Sequence, residues 1–305
     1  MNHDNHQKII PFLWFDGKAE EAINFYVSVF PDAEITVMKR WPETMTTNGE
    51  RARQGTIHVG GFAIGGYQLY AFDAAPMAKF NPSISFFVVF ETETEVNTAW
   101  SKLIEGGEEL IPLNKYAWSD RYGWLTDRFG ISWQLYKGKL EDVGLRVSPS
   151  LMFSGSQRGK AEEAAEHYMS VFQDAISNGM TRYGANEGGP EGMVKHGQFR
   201  ILGQTFMVMD NENENDIPFN EAISFFVKCK GQQEVDYFWD QFTKEGEASM
   251  CGWLKDKFGV SWQIVPDFFM SGIETGTPEQ TQNMMDALMQ MKKPDVERLQ
   301  QALNK

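Results

Sequence analysis

Three shortages limit what this chain can be. It has 2 cysteines in 305 residues, too few for a disulfide scaffold, so Cys229 and Cys251 read as structural free thiols of a reducing compartment. Positive charge is scarce, with 28 Lys+Arg against 42 Asp+Glu and a formal net charge of −14. Such a surface repels phosphate backbones and anionic lipids, which sets aside nucleic acid and membrane partners and favours a cationic small molecule. Long apolar runs are missing too. The longest span without Asp, Glu, Lys or Arg, residues 54–72, is interrupted by Gly55, Gly60, Gly61, Gly65 and Gly66, which suits hairpins and not a bilayer helix. The first residues show no basic stretch followed by an apolar one, so a cytoplasmic location is expected.

What is abundant is repetition. Gly17-Lys-Ala-Glu-Glu-Ala22 returns as Gly159-Lys-Ala-Glu-Glu-Ala164, and Ile84-Ser-Phe-Phe-Val88 as Ile223-Ser-Phe-Phe-Val227. Gly123-Trp-Leu-Thr-Asp-Arg-Phe-Gly-Ile-Ser-Trp-Gln134 returns as Gly252-Trp-Leu-Lys-Asp-Lys-Phe-Gly-Val-Ser-Trp-Gln263. Order is kept while loop lengths drift, which marks a duplication with diverged copies. The largest loss is ten residues: residues 111–120 of the first copy have almost no counterpart between Glu247 and Cys251. The copies are placed at residues 7–140 and 146–268, followed by a C-terminal helical extension at 269–305. Within each copy a β-rich run, an amphipathic helix and three strand-like runs occur twice, so the reading is βαβββ four times per chain. Gly60-Gly61 and Gly65-Gly66 are expected in hairpin turns. Thr277-Pro-Glu-Gln280 predicts the capped start of a helix with Met284, Met285, Leu288 and Met291 on one face, and Pro294-Asp295 the start of a second.

These residues resemble the vicinal oxygen chelate superfamily, which includes glyoxalase I, extradiol dioxygenases and bleomycin-resistance proteins, and within it the PhnB-like group. The carriers are Phe15-Asp-Gly-Lys-Ala-Glu-Glu-Ala-Ile-Asn-Phe-Tyr26, the segment 120–130, and the segment 251–266. The resemblance implies an α+β fold of tandem duplicated domains, each built of paired βαβββ modules that curl into a cup-shaped sheet with the ligand on its concave side. In the superfamily's metal-dependent members four inward side chains, usually His and Glu, hold a divalent ion. Matched strand by strand, those positions fall at Pro11, Tyr70, Ser83 and Gln134 in the first copy and at Pro149, Met207, Ala222 and Gln263 in the second. That donor set is poor for a hard cation, so no metal is expected. The group is sometimes labelled a methyltransferase, which would imply S-adenosylmethionine. No glycine-rich strand-to-helix turn of the nucleotide-cradling kind supports it, and no cofactor is expected.

Alternation assigns Leu13, Phe15, Ser85, Phe87, Ser132, Gln134 and Tyr136 to the first cup, and Leu151, Phe153, Ser224, Phe226, Ser261 and Gln263 to the second, with Tyr70, Ser83 and Met207 completing the linings. Phe86, Phe225, Trp133 and Trp262 fall on the opposite phase and are read as core. Such a lining suits a small organic ligand held by packing and a few hydrogen bonds. The primary expectation is a metal-independent small-molecule-binding protein. The alternative is an isomerase, lyase or transferase-like enzyme acting in one cup through Gln134, Tyr70 or His167, and a third reading makes the second copy an internal dimerisation partner. A homodimer is compatible with all three. His3 and His6 are read as a tail that binds metals only adventitiously, and residues 210–216 echo a calcium loop but lack its glycine and meet Pro218.

Overall fold

The computed structural model describes residues 7–41, 46–47, 50–51, 55–75 and 78–305; His3 and His6 lie outside them. Four βαβββ modules follow one another. The first runs β1 (Ile9–Phe15), α1 (Ala19–Val29), β2 (Ala33–Arg40), a small ladder of β3 (Thr46–Thr47) on β4 (Glu50–Arg51), and the hairpin β5 (Ile57–Ile64) and β6 (Tyr67–Asp73). The second comprises β7 (Ile84–Phe90), α2 (Glu93–Leu103), β8 (Glu108–Tyr116), β9 (Ser119–Thr126) and β10 (Ser132–Lys137). After α3 (Leu140–Val143) the third runs β11 (Val147–Phe153), α4 (Ala161–Val171), β12 (Ile176–Arg182), β13 (Val194–Ile201) and β14 (Gln204–Asp210). The fourth contains β15 (Ile223–Cys229), α5 (Gly231–Thr243), β16 (Glu247–Ala248), β17 (Trp253–Lys255) and β18 (Ser261–Pro266). Three helices end the chain: α6 (Phe268–Thr275), α7 (Pro278–Met289) and α8 (Val296–Leu303).

Local chemistry explains the helices. In α1 the spacing of Ala19, Ala22, Ile23, Tyr26 and Val29 buries one face, and Glu20 and Glu21 sit in the first turn, where the helix dipole favours them. The Thr92 and Glu95 side chains close a capping box on α2, and Thr277 and Gln280 do the same on α7 with proline in its first turn.

The modules form two eight-stranded sheets, and each sheet joins one module from each copy. In one, the first module meets the fourth through antiparallel pairing of β1 with β15, with Ile9 opposite Val227 and Leu13 opposite Ile223. In the other, the second meets the third through β11 and β7, with Val147 opposite Val88 and Leu151 opposite Ile84. The copies are therefore interleaved: each cup is built across the duplication, not within one copy. A single apolar core collects one side of both sheets together with α1, α2, α4 and α5, including Phe86, Phe225, Trp133 and Trp262. The other side of each sheet is the concave face of a cup.

Register corrects part of the sequence reading. Phe12 lies opposite Ser224, and Ser150 lies opposite Ser85, so the inward residues are Ile10, Phe12 and Trp14 on β1 and Ser148, Ser150 and Met152 on β11. Leu13, Phe15, Leu151 and Phe153 point the other way, into the shared core. Pro11 and Pro149 pair with the helix-facing Phe225 and Phe86 and share that wrong phase. Gly60 and Gly61 are also not a turn: they lie inside β5, where a Cβ on Gly60 would collide with Ile23 of α1. The turn is at Gly65 and Gly66, with φ of 55° and 80°.

Candidate functional site

The most strongly repeated motif is structural. Asp127 is 3% exposed, and its carboxylate accepts four hydrogen bonds: from the Tyr26 hydroxyl at 2.8 Å, Trp133 Nε1 at 2.8 Å, and the backbone N–H groups of Phe129 and Ile131 at 2.8 and 3.1 Å. Asp256 repeats the arrangement with Tyr168, Trp262, Phe258 and Val260. The tight turn needs positive φ at Gly130 and Gly259 (92° and 89°). Burial pushes both carboxyls up against the pull of these donors, and burial with the adjacent carboxylate pushes the Tyr26 and Tyr168 phenols well up. The carboxylates at the ends of β6 and β14 are equally committed. Asp73 accepts from the N–H groups of Ala19 and Ile57, and Asp210 from those of Gly159, Ala161 and Val194. They tie a helix start to a strand, which is also what the calcium-like segment after Asp210 begins with.

The cup formed by β7–β14 is uncovered and encloses a cavity of about 760 Å³. Phe87, Gln134, Tyr136 and Met207 of the residues chosen from sequence line it. Beneath them Ser85 and Ser132 serve as acceptors: Gln134 Nε2 donates to Ser85 Oγ at 2.8 Å, the Tyr122 hydroxyl donates to Gln134 Oε1 at 2.7 Å, and Trp124 Nε1 donates to Ser132 Oγ at 2.7 Å. Ser83 lies at the strand's entrance with its hydroxyl on Asn81. Among the lining residues missed from sequence are four aromatics of the β8–β9 hairpin: Tyr116 and Trp118, which belong to the ten-residue excess of the first copy, and Tyr122 and Trp124, which follow it. Trp118, 55% exposed, stacks at 5.8 Å on Tyr116 and approaches Tyr122 at 4.6 Å and Tyr136 at 6.4 Å. That excess was visible as an insertion; its placement over the cup was not. At the rim Asp142, Glu187 and Glu212 outnumber Lys195, which is paired with Glu187 at 3.3 Å. Burial lowers the His196 pKa and raises those of Tyr122 and Tyr136, so these three groups line the cavity uncharged at neutral pH.

The other cup is covered. Ile10, Phe12, Val59, Phe226 and Val265 of the sheet pack with Met270, Ile273, Met284, Leu288 and Met291 of the C-terminal segment. Two backbone bonds seat it, from Cys251 N to Met291 O at 2.7 Å and from Gly252 N to Lys292 O at 2.9 Å. The hairpin arm that overhangs the first cup is cut to β16 and β17 here, and the C-terminal helices cover the cup instead. Phe226 and Gln263 line the remaining space, while Gln263 donates to Ser224 Oγ at 2.9 Å as Gln134 does to Ser85. Tyr70 packs against Phe12 and Phe226, and Ser261 is buried beside β15. His167 is in neither cup: it sits on α4 against Phe242 and Phe258. Cys229 is buried in β15, where burial pushes its thiol up to about 12, and Cys251 borders the covered cup.

The donor set does not fit a divalent ion. Among the described residues no three His, Cys, Asp or Glu side chains converge, and the inward groups at the corresponding depth are the amides Gln134 and Gln263 with Ser, Tyr, Phe and Met. Among the described residues no helix is long and apolar enough to cross a membrane.

The family profile described as 3-demethylubiquinone-9 3-methyltransferase matches residues 7–136 and 145–265. A solved structure of a PhnB protein from Bacillus cereus, described as a putative 3-demethylubiquinone-9 3-methyltransferase, is 38% identical over 43% of this chain and 100% of its own, with a TM-score of 0.39. Glyoxalase I from Zea mays is 11% identical over 90% of this chain and 100% of its own, with a TM-score of 0.55, a likeness of fold. No curated protein sequence matches the chain significantly. The nucleotide-type methyl donor implied by the profile's description does not fit the glycine-bearing strand-to-helix junctions at Gly17 and Gly159, because Asp73 and Asp210 already occupy the first N–H groups of α1 and α4. With both copies matched almost end to end, the chain belongs to the PhnB-like 3-demethylubiquinone-9 3-methyltransferase family, and its fold is like that of glyoxalase I.

Proposed function

We propose that the chain is a small-molecule-binding protein whose uncovered cup takes a flat organic cation without a metal. The observation that carries this reading is the lining: a cavity of about 760 Å³ walled by Phe87, Tyr116, Trp118, Tyr122 and Trp124, with carboxylates prevailing at its rim. Aromatic faces attract cations by about 0.5–2 kcal/mol per contact, and the excess of negative charge on the whole chain adds long-range attraction. Gln134, fixed between Tyr122 and Ser85, supplies a directed amide on the floor. Titration with ethidium, a flat aromatic cation, tests the proposal. Saturable 1:1 binding that weakens about tenfold in Trp118→Ala and falls with added salt supports it. Equal affinity for fluorescein, a flat anion, refutes it.

An enzymatic reading has one observation on its side, the His196 imidazole in the same cavity, whose pKa burial lowers, as a proton acceptor for a bound substrate requires. His196→Asn separates the two: retained ligand affinity with lost turnover of that ligand favours the enzyme.

A further inference from the structure

The covered cup is not filled. Between the C-terminal helices and the sheet remains a half-open pocket of about 470 Å³, within the range of small-ligand sites. Its walls are apolar, and α6 and α7 contribute Met270, Met285 and Met289, unbranched thioethers that repack readily around a guest. Among the described residues no Lys or Arg lines it, and its one carboxylate, Asp73, is already engaged by two backbone N–H groups. An anionic guest would meet no counter-ion there, and a cationic one only a carboxylate already held by backbone donors.

Two polar atoms do lack partners. Trp14 Nε1 and His58 Nδ1 are buried without a hydrogen bond, and both residues line the space. An indole N–H can only donate, and a buried donor left unmet is costly. His58 is 4% exposed and stacks on Trp41 at 3.7 Å. It faces the cavity because the β2–β5 ladder skips a residue between the pairs of Ile57 and Val59, a bulge that re-aims the side chain. The matching positions of the uncovered cup are held by Met152 and Lys195, so this pair of groups belongs to the covered cup alone.

We propose that the covered cup is a second ligand site, specific for an uncharged, largely apolar carbonyl compound whose oxygen accepts the Trp14 N–H while the methionines of α6 and α7 close over its body. The probe is 6-propionyl-2-(dimethylamino)naphthalene, an uncharged naphthyl ketone whose emission moves to the blue in a dry site, titrated into the full-length chain. The expected result is one blue-shifted, saturable component per chain. Trp14→Phe, which keeps an aromatic ring and removes the donor, weakens it about three- to tenfold, the worth of one hydrogen bond. Met285→Trp and Met289→Trp, each filling the cavity from a half-buried position, abolish it, while Trp118→Ala and Gln134→Ala in the other cup leave it unchanged. The proposal is overturned if no blue-shifted component forms, if Trp14→Phe binds as tightly as the parent, or if Trp118→Ala removes the signal. The last outcome would place the ketone in the uncovered cup, and failure there leaves the ethidium result standing on its own.

Discussion

Replacing Asp127 by Asn changes one atom and separates a structural from a catalytic role for the repeated Asp-x-Phe-Gly motif. The carboxylate uses one oxygen for the N–H groups of Phe129 and Ile131 and the other for Tyr26 and Trp133. An asparagine can keep its carbonyl on the turn and present its NH2 to Tyr26, whose hydroxyl can rotate and accept. Trp133 Nε1 can only donate and is left facing another donor. One buried N–H unmet, plus the lost charge assistance, costs about 2–3 kcal/mol of unfolding free energy. Asp127→Ala orphans all four donors and costs about 4–5 kcal/mol, at the upper end for single substitutions. Denaturant titration followed by tryptophan fluorescence reads both values. Because Trp133 and Tyr26 belong to the core on the helix-facing side, ethidium affinity of the folded fraction stays unchanged. A neutral Asp127→Asn that nevertheless loses binding would refute the assignment.

Other outcomes follow from the same contacts. Burial and the nearby Lys39 bring the His58 pKa from 6.5 to about 4. Between those values the unfolded chain takes up a proton that the folded chain refuses, so stability is complete above pH 6.5 and falls by about 3 kcal/mol as pH drops to 4; His58→Phe removes that component from the stability–pH curve. Gly60→Ala drives a methyl group into Ile23 and costs about 1–3 kcal/mol by overpacking, read from the denaturation midpoint. A chain ending at residue 267 uncovers Phe12, Phe226 and Val265 and binds anilinonaphthalene sulfonate with brighter emission than the full chain at equal concentration.

The legible part of the fold was the part that repeats. The four modules follow from matched segments, and the inward phase of β7, β10, β15 and β18 follows from Ser-Phe-Phe and Ser-Trp-Gln, where polar and apolar residues alternate. On β1 and β11 the strings Ile-Ile-Pro-Phe-Leu-Trp-Phe and Val-Ser-Pro-Ser-Leu-Met-Phe are buried on both faces. Both phases of such strands are apolar, so alternation sets no phase and the one-residue slip at Leu13 and Leu151 follows. A repeat also says which modules are alike without saying which ones pair. The interleaving of the copies is decided by β1 on β15 and β11 on β7, contacts between segments more than two hundred and about sixty residues apart. The methionine face of α7 was readable as a face to be buried, but its seat in one cup depends on the shortened β16–β17 hairpin, a tertiary consequence of missing residues.

The uncovered cup is proposed to hold an organic cation with no metal. Native mass spectrometry of the untagged 305-residue chain, with metal analysis of the same sample, decides this. The expected result is a chain free of stoichiometric metal that takes up one ethidium, retained in Gln263→Ala and lost in the Gln134→Ala, Trp118→Ala double variant. One divalent ion per chain, required for that uptake, would contradict it.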